Sequence, residues 1–166
     1  DVDISGVCII TVEGDVWITG NLTIRNSGIL IVRSGLTTPP VIMVDGQSGL
    51  RMRNGATMLP NLGGVGHRII TYASTAACSP DCADVTGADL KNSQSLNTID
   101  IDNVASGAQT EFYARWSKVT AGNAGSVGAL VGQTVELRNG LAITLGTSVT
   151  GFGEQIWLID QYRRTF

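Results

Sequence analysis

Residues 22–28 read LTIRNSG, residues 50–56 read LRMRNGA, and residues 135–141 read VELRNGL. Each copy is an apolar-x-apolar pair followed by Arg-Asn and a small residue. A strand that buries alternate side chains and turns at the same place every time is one edge of a repeated structural unit. The alternation runs well beyond these copies. Val16 and Ile18, Leu22 and Ile24, Ile29 and Ile31, Val41 and Met43, Leu50 and Met52, and Ala56 and Met58 all stand two residues apart with mostly polar residues between. Each pair reads as a short strand with one buried face. Between them lie Gly20-Asn21, Asn26-Ser27-Gly28, Ser34-Gly35, Gly46 and Asn54-Gly55, which turn because glycine and asparagine tolerate positive φ.

Three short strands per circuit, joined by tight corners, predict an all-β fold: a single right-handed parallel β-helix. Laying Val16 under Val41, Leu22 under Leu50 and Ile29 under Ala56 gives circuits of about 25 to 28 residues. A hairpin sandwich, the rival, prefers two-residue turns between longer strands. In the helical reading Leu22, Leu50 and Val135 enter the core. Asn26, Asn54 and Asn139 then turn the chain, where a positive φ or a stack of side-chain amides is useful.

Composition agrees. With 166 residues, 21 of them glycine, and only 15% charged residues, the chain looks like one domain of many short strands, not helices with solvated charged faces. The net charge of -3 excludes a broadly basic nucleic-acid binder. No stretch approaches the ~18 apolar residues of a membrane span. The opening at Asp1, already in strand-like sequence, leads us to expect a mature or trimmed form.

The pattern loosens from about residue 60 to 105, which reads as a loop insertion leaving the coil, with one strand at RIITY and a short helix at ADLKN. Within it Cys78 and Cys82 flank Pro80-Asp81, a turn that can bring two thiols together. A small-loop disulfide there implies an oxidising, extracytoplasmic setting. The rival, two thiolates with Asp81 or Asp84, is an incomplete zinc site. Cys8, inside VCII, reads as a buried free thiol. Order resumes at Ile99 and Ile101 and continues through FYARW at 112–116, Val127 to Val131, Val135 and Leu137, and Ile143 and Leu145. The end of such a stack needs a cap, which Trp157, Tyr162 and Phe166 are placed to supply.

The segment GALVGQTVELRNGLAITLG at 128–146, and more loosely GDVWITGNLTIRNSGILIV at 14–32, resembles the β-helical C-terminal domains of PilX-like, type IV pilus-associated proteins. The likeness spans about half the chain. Bactofilins share the GDVxIxGNLTI cadence, but the disulfide reading and the irregular insertion favour the pilus-like family. The resemblance implies an exported, minor-pilin-like subunit anchored through an N-terminal apolar helix, which this sequence lacks. It also implies other pilus or surface subunits as partners.

Candidate chemistry is sparse. Asp100 and Asp102 in TIDID share an outward face while Ile99 and Ile101 point in, and such a pair suits a cation or an acid and base. A solvated strand face is the plainer reading. Asp81, Asp84 and Asp89 could ligate calcium in the insertion, but they lack the regular alternation of an EF-hand loop. His67, the lone histidine, follows a glycine-rich turn that lacks a phosphate loop's GKS/T ending; we expect it satisfied or exposed in a turn, not part of a triad. Asn21-Leu22-Thr23 fits the glycosylation pattern, which matters only in a eukaryotic secretory route.

Arg25, Arg53 and Arg138 would project at one corner, on coils about 4.8 Å apart where adjacent. Such a row could meet DNA phosphates or an anionic glycan, although Glu13, Asp15 and Glu136 lie close enough in sequence to neutralise it. The expectation is an extracellular or cell-surface structural or adhesive subunit with no catalytic residues, metal or cofactor. A glycan-binding module or carbohydrate-active β-helix enzyme is the alternative.

Overall fold

The computed structural model of the protein describes residues 1–71, 97–103, 105–123, 125–138 and 142–143. All the regular structure in these residues is β, and no helix long and apolar enough to cross a membrane occurs among them. The first circuit holds β1 (Val2–Ser5), β2 (Ile9–Val12) and β3 (Val16–Ile18). The second holds β4 (Leu22–Arg25), β5 (Ile29–Val32) and β6 (Val41–Val44), and the third β7 (Leu50–Arg53), β8 (Thr57–Leu59) and β9 (Arg68–Thr71). Then come β10 (Ile99–Asp102), β11 (Gly107–Gly122), β12 (Ser126–Leu137) and β13 (Ala142–Ile143).

Every strand pair is parallel, and through the third circuit each strand pairs with the one three elements later. One stack runs β1, β4, β7, β10, β11; a second β2, β5, β8; a third β3, β6, β9, β11. Parallel strands need a crossover between them, and here the other two strands of the circuit supply it. Inward side chains therefore form columns. Leu22, Leu50, Ile99 and Val119 lie in register, as do Ile24, Met52, Ile101 and Ala121, and all are buried. Ile42, Ile69 and Phe112 make a third column. Each large member contributes roughly 1.5–3 kcal/mol by leaving water.

The corners after β4, β7 and β10 are built the same way. Gly28 donates its amide to Arg25 O (3.0 Å), Ala56 to Arg53 O (3.2 Å) and Ala105 to Asp102 O (3.4 Å). Asn26, Asn54, Asn103 and Asn123 take φ of 51°, 55°, 55° and 46°, a region asparagine enters more readily than other residues with a side chain. Their side chains form a ladder: Asn54 Nδ2 donates to Asn26 Oδ1 (3.0 Å) and Asn103 Nδ2 to Asn54 Oδ1. The expected positive φ and stacked amides thus hold at Asn26 and Asn54. Asn103 joins them without the Arg-Asn signature, Asn123 shares only the positive φ and donates its side-chain amide to Asp102 Oδ1, and Asn139 lies outside the described residues.

Several expectations are corrected. Leu22 registers with Leu50, but Val16 registers with Ile42, not Val41, and Ile29 with Thr57, not Ala56. The corners set these offsets. The Asp15 carboxylate accepts the Val41 amide at 2.8 Å, and Ala56 is used in closing the turn as Gly28 is. In β5 and β6 the buried residues are Leu30, Val32, Ile42 and Val44; Ile29, Ile31, Val41 and Met43 are half-buried on the other side. With ILIV and VIMV apolar at every position, alternation has nothing to choose a face by.

Val135 and Leu137 are 41% and 44% exposed, because along this part of β12 the described residues supply a neighbouring strand on one side only. The short strands expected after residue 105 are instead the 16-residue β11 and the 12-residue β12, whose pairing shifts register at two places. Arg68–Thr71 and Ile99–Asp102, inside the expected insertion, belong to the stacks. Cys8 is exposed, not buried, since it precedes β2 in a circuit covered on one side. Cys78 and Cys82, Asp81, Asp84 and Asp89, the helix expected at ADLKN, and Trp157, Tyr162 and Phe166 lie outside the described residues.

Candidate functional site

The outward face of the first stack gathers most of the residues singled out in the sequence. Arg25 and Arg53 are register partners, Asp100 is the partner of Arg51, and Arg138 follows β12 on the same stack. Arg25 makes a two-pronged contact with Asp3, Nε to Oδ1 at 3.1 Å and Nη2 to Oδ2 at 2.7 Å. This pairing holds the Asp3 carboxyl below its ordinary value and raises Arg25. Arg53 Nη2 reaches Asp100 Oδ2 at 2.5 Å, and Arg51 Nε stands 3.9 Å from the same oxygen. Arg138 Nε bonds Glu136 Oε1 at 2.7 Å, and Lys118 pairs with Glu136 Oε2. Hydrogen bonds from Arg138 first and Lys118 second bring the Glu136 carboxyl down to about 2.

Each arginine of the expected cationic row is therefore paired with a carboxylate on the same face, Asp100 being shared with Arg51 and Glu136 with Lys118. The row is a surface of compensated charge, with little net field to hold a run of phosphates. Asp100 and Asp102 do share a face, and one oxygen of each is already engaged by neighbouring side chains or backbone. Asp100 is engaged by two arginines, and Asp102 Oδ1 accepts from Asn103 N (2.7 Å) and Asn123 Nδ2 (3.4 Å). No cluster of three or more His, Cys, Asp or Glu side chains able to hold a metal occurs among the described residues.

His67 is neither satisfied nor turn-exposed. Its side chain is fully buried, and both ring nitrogens lack a hydrogen-bond partner among the described residues. Desolvation pushes its pKa down to about 4. The glycine-rich stretch before it is a turn pinned by Asn61, whose Oδ1 accepts the amides of Gly63 (2.9 Å) and Val65 (3.0 Å) while Nδ2 donates to the carbonyls of Arg33 and Leu36. Asn21 is likewise occupied, by Asp1 and the Ser48 amide.

The feature not anticipated from sequence is an apolar hollow at the first circuit. Among the described residues β1, β2 and β3 are each paired on one side only. Between them opens an apolar hollow of about 380 Å³, walled by side chains such as Ile10, Val12 and Val16 and floored by Leu22, Leu30 and Ile42 of the next circuit. Ile9 and Trp17, on the outward sides of β2 and β3, stand 64% and 67% exposed. Residues 1–20 carry Asp1, Asp3, Glu13 and Asp15 and no Lys or Arg. The available sequence signal was VCIITV and VWI, apolar at more positions than one buried face needs. Comparison with family models, with curated proteins and with solved structures returns no match.

Proposed function

We propose that the chain is a right-handed parallel β-helix serving as a non-enzymatic structural or adhesive subunit of a cell-surface apparatus, engaging a neighbouring subunit through its first circuit. The first circuit carries this reading: among the described residues its three strands are each paired on one side only around an apolar hollow, and Ile9 and Trp17 are exposed on the outward sides of β2 and β3. An exposed apolar patch with free edges is a place for another polypeptide, since only a backbone in extended conformation satisfies both the ladder groups and the pockets between them. Glu13 and Asp15, which line the hollow, favour a partner strand that alternates apolar with basic residues. A pilus-like setting and export rest on the sequence resemblance and on the Cys78–Cys82 reading.

The test uses two synthetic peptides, one alternating valine with lysine and the other valine with glutamate, with hydrogen exchange of the protein as readout. The lysine peptide is expected to protect amides of β1, β2 or β3 at low salt, with the effect weakening as salt rises. Protection elsewhere, none at all, or equal protection by the glutamate peptide would overturn the assignment.

A further inference from the structure

The geometry points to Asn54–Gly55 as a latent covalent modification site, a deamidation centre kept closed by the asparagine ladder. Asn-Gly is the sequence in which backbone attack on the side-chain amide is least hindered, because the attacking nitrogen belongs to a residue without Cβ. In the reaction the Gly55 amide nitrogen gives its proton to solvent base and bonds to Asn54 Cγ. The Cγ–Nδ2 bond breaks and ammonia departs, leaving a succinimide. Water then opens either carbonyl of the ring to give aspartate or isoaspartate. The net change is one water consumed and one ammonia released.

Water has access to this corner, since Asn54 is exposed and Gly55 half-buried. What opposes the reaction is the set of bonds on each reacting group. The Gly55 amide, the nucleophile, donates to Asn103 O at 3.1 Å. The Asn54 side-chain amide, the electrophile, donates to Asn26 Oδ1 at 3.0 Å and accepts from Asn103 Nδ2. The Asn54 carbonyl accepts the Ser27 amide at 3.0 Å, and φ is held at 55°. Attack requires the side chain to swing out of the ladder toward a nitrogen that is itself committed to the next circuit, so the corner must open first. Once it opens, the change is one-way. Aspartate has no donor for Asn26 Oδ1, and isoaspartate adds a methylene to the backbone where one circuit must match the next.

Peptide mapping by mass spectrometry follows conversion at residue 54 in the whole protein at mildly alkaline pH, with and without guanidinium. Conversion in the folded chain is expected to be slower by about a hundredfold, the scale set by local opening of a corner. Asn103→Gly and Asn26→Gly keep a residue that accepts positive φ while deleting one ladder amide each, and each should speed conversion about tenfold in a chain still folded by circular dichroism. Equal rates in the folded and denatured chain would overturn the proposal. So would folded ladder variants that convert no faster than the parent. If a variant unfolds, hydrogen exchange of the Gly55 amide in the parent decides: it must be protected to a degree comparable with the slowing of deamidation, and fast exchange refutes the lock.

Discussion

Acid should weaken this fold first through His67. The imidazole is fully buried, lacks hydrogen-bond partners among the described residues, and has its pKa lowered from 6.5 to about 4 by desolvation. The unfolded chain therefore takes up the proton before the folded one, so the neutral-state stability is intact above pH 6.5 and declines as pH falls toward 4. At about 1.36 kcal/mol per pH unit, the gap between 6.5 and about 4 amounts to about 3.4 kcal/mol once both states are protonated. About 2 kcal/mol of it is already lost at pH 5. His67→Leu removes the titration and two unsatisfied polar atoms, each of which costs about 1–3 kcal/mol when buried. Urea denaturation of both chains at pH 7, 6 and 5 gives the comparison. The variant should be the more stable at pH 7, and its advantage should widen by about 2 kcal/mol at pH 5. Parallel stability curves for the two chains across that range would refute the reasoning.

Gly49 has φ +63°, and an added Cβ would fall on the Thr98 backbone oxygen of the next circuit; Gly49→Ala should cost about 2–4 kcal/mol, and an unchanged melting temperature would show that the circuits can separate there. Ser27 sits at φ 66° with an exposed side chain, so Ser27→Gly should raise stability by about 0.5–1 kcal/mol, strain relief of about 1–2 kcal/mol being partly offset by the freer unfolded chain; a lower denaturation midpoint counts against this. The depressed Glu136 carboxyl contributes stability that is present above its ordinary value of 4.5 and lost as pH falls toward 2. Its side chain is 35% exposed, so solvent screening limits the effect to less than about 1 kcal/mol. In a His67→Leu background, Glu136→Gln should flatten the remaining acid slope below pH 4.5, and an unaltered slope would contradict the pairing.

The parallel stacking was legible wherever apolar and polar residues alternate strictly. LTIR and LRMR each bury two positions and expose the rest, and their mutual register follows directly from the sequence. ILIV and VIMV hid their facing because both sides are apolar, and the corner bonds of Gly28 and Asp15 fix it. The long β11 escaped notice because it bends through register shifts where no glycine-asparagine corner marks a turn. On the outward face the arginine positions were visible but their pairing was not. Asp3 lies 22 residues from Arg25, and Asp100 lies 47 from Arg53, separations that only stacking closes. The hollow at the first circuit was missed because it depends on what lies alongside each strand, which no local pattern records.

The asparagine corner also governs where this architecture accepts new chain. In the first three circuits the link between first and second strands is always three residues, Gly6 to Cys8, Asn26 to Gly28 and Asn54 to Ala56. The link between second and third strands grows from three residues to eight, and the path from third strand to the next circuit lengthens further still. One edge of the stack thus behaves as a spine whose side-chain amides forbid insertion, and the other two edges are left open to growth. A foreign loop grafted at 33–40 would extend the molecule sideways without disturbing its register, whereas the same loop grafted at 26–28 would sever the spine.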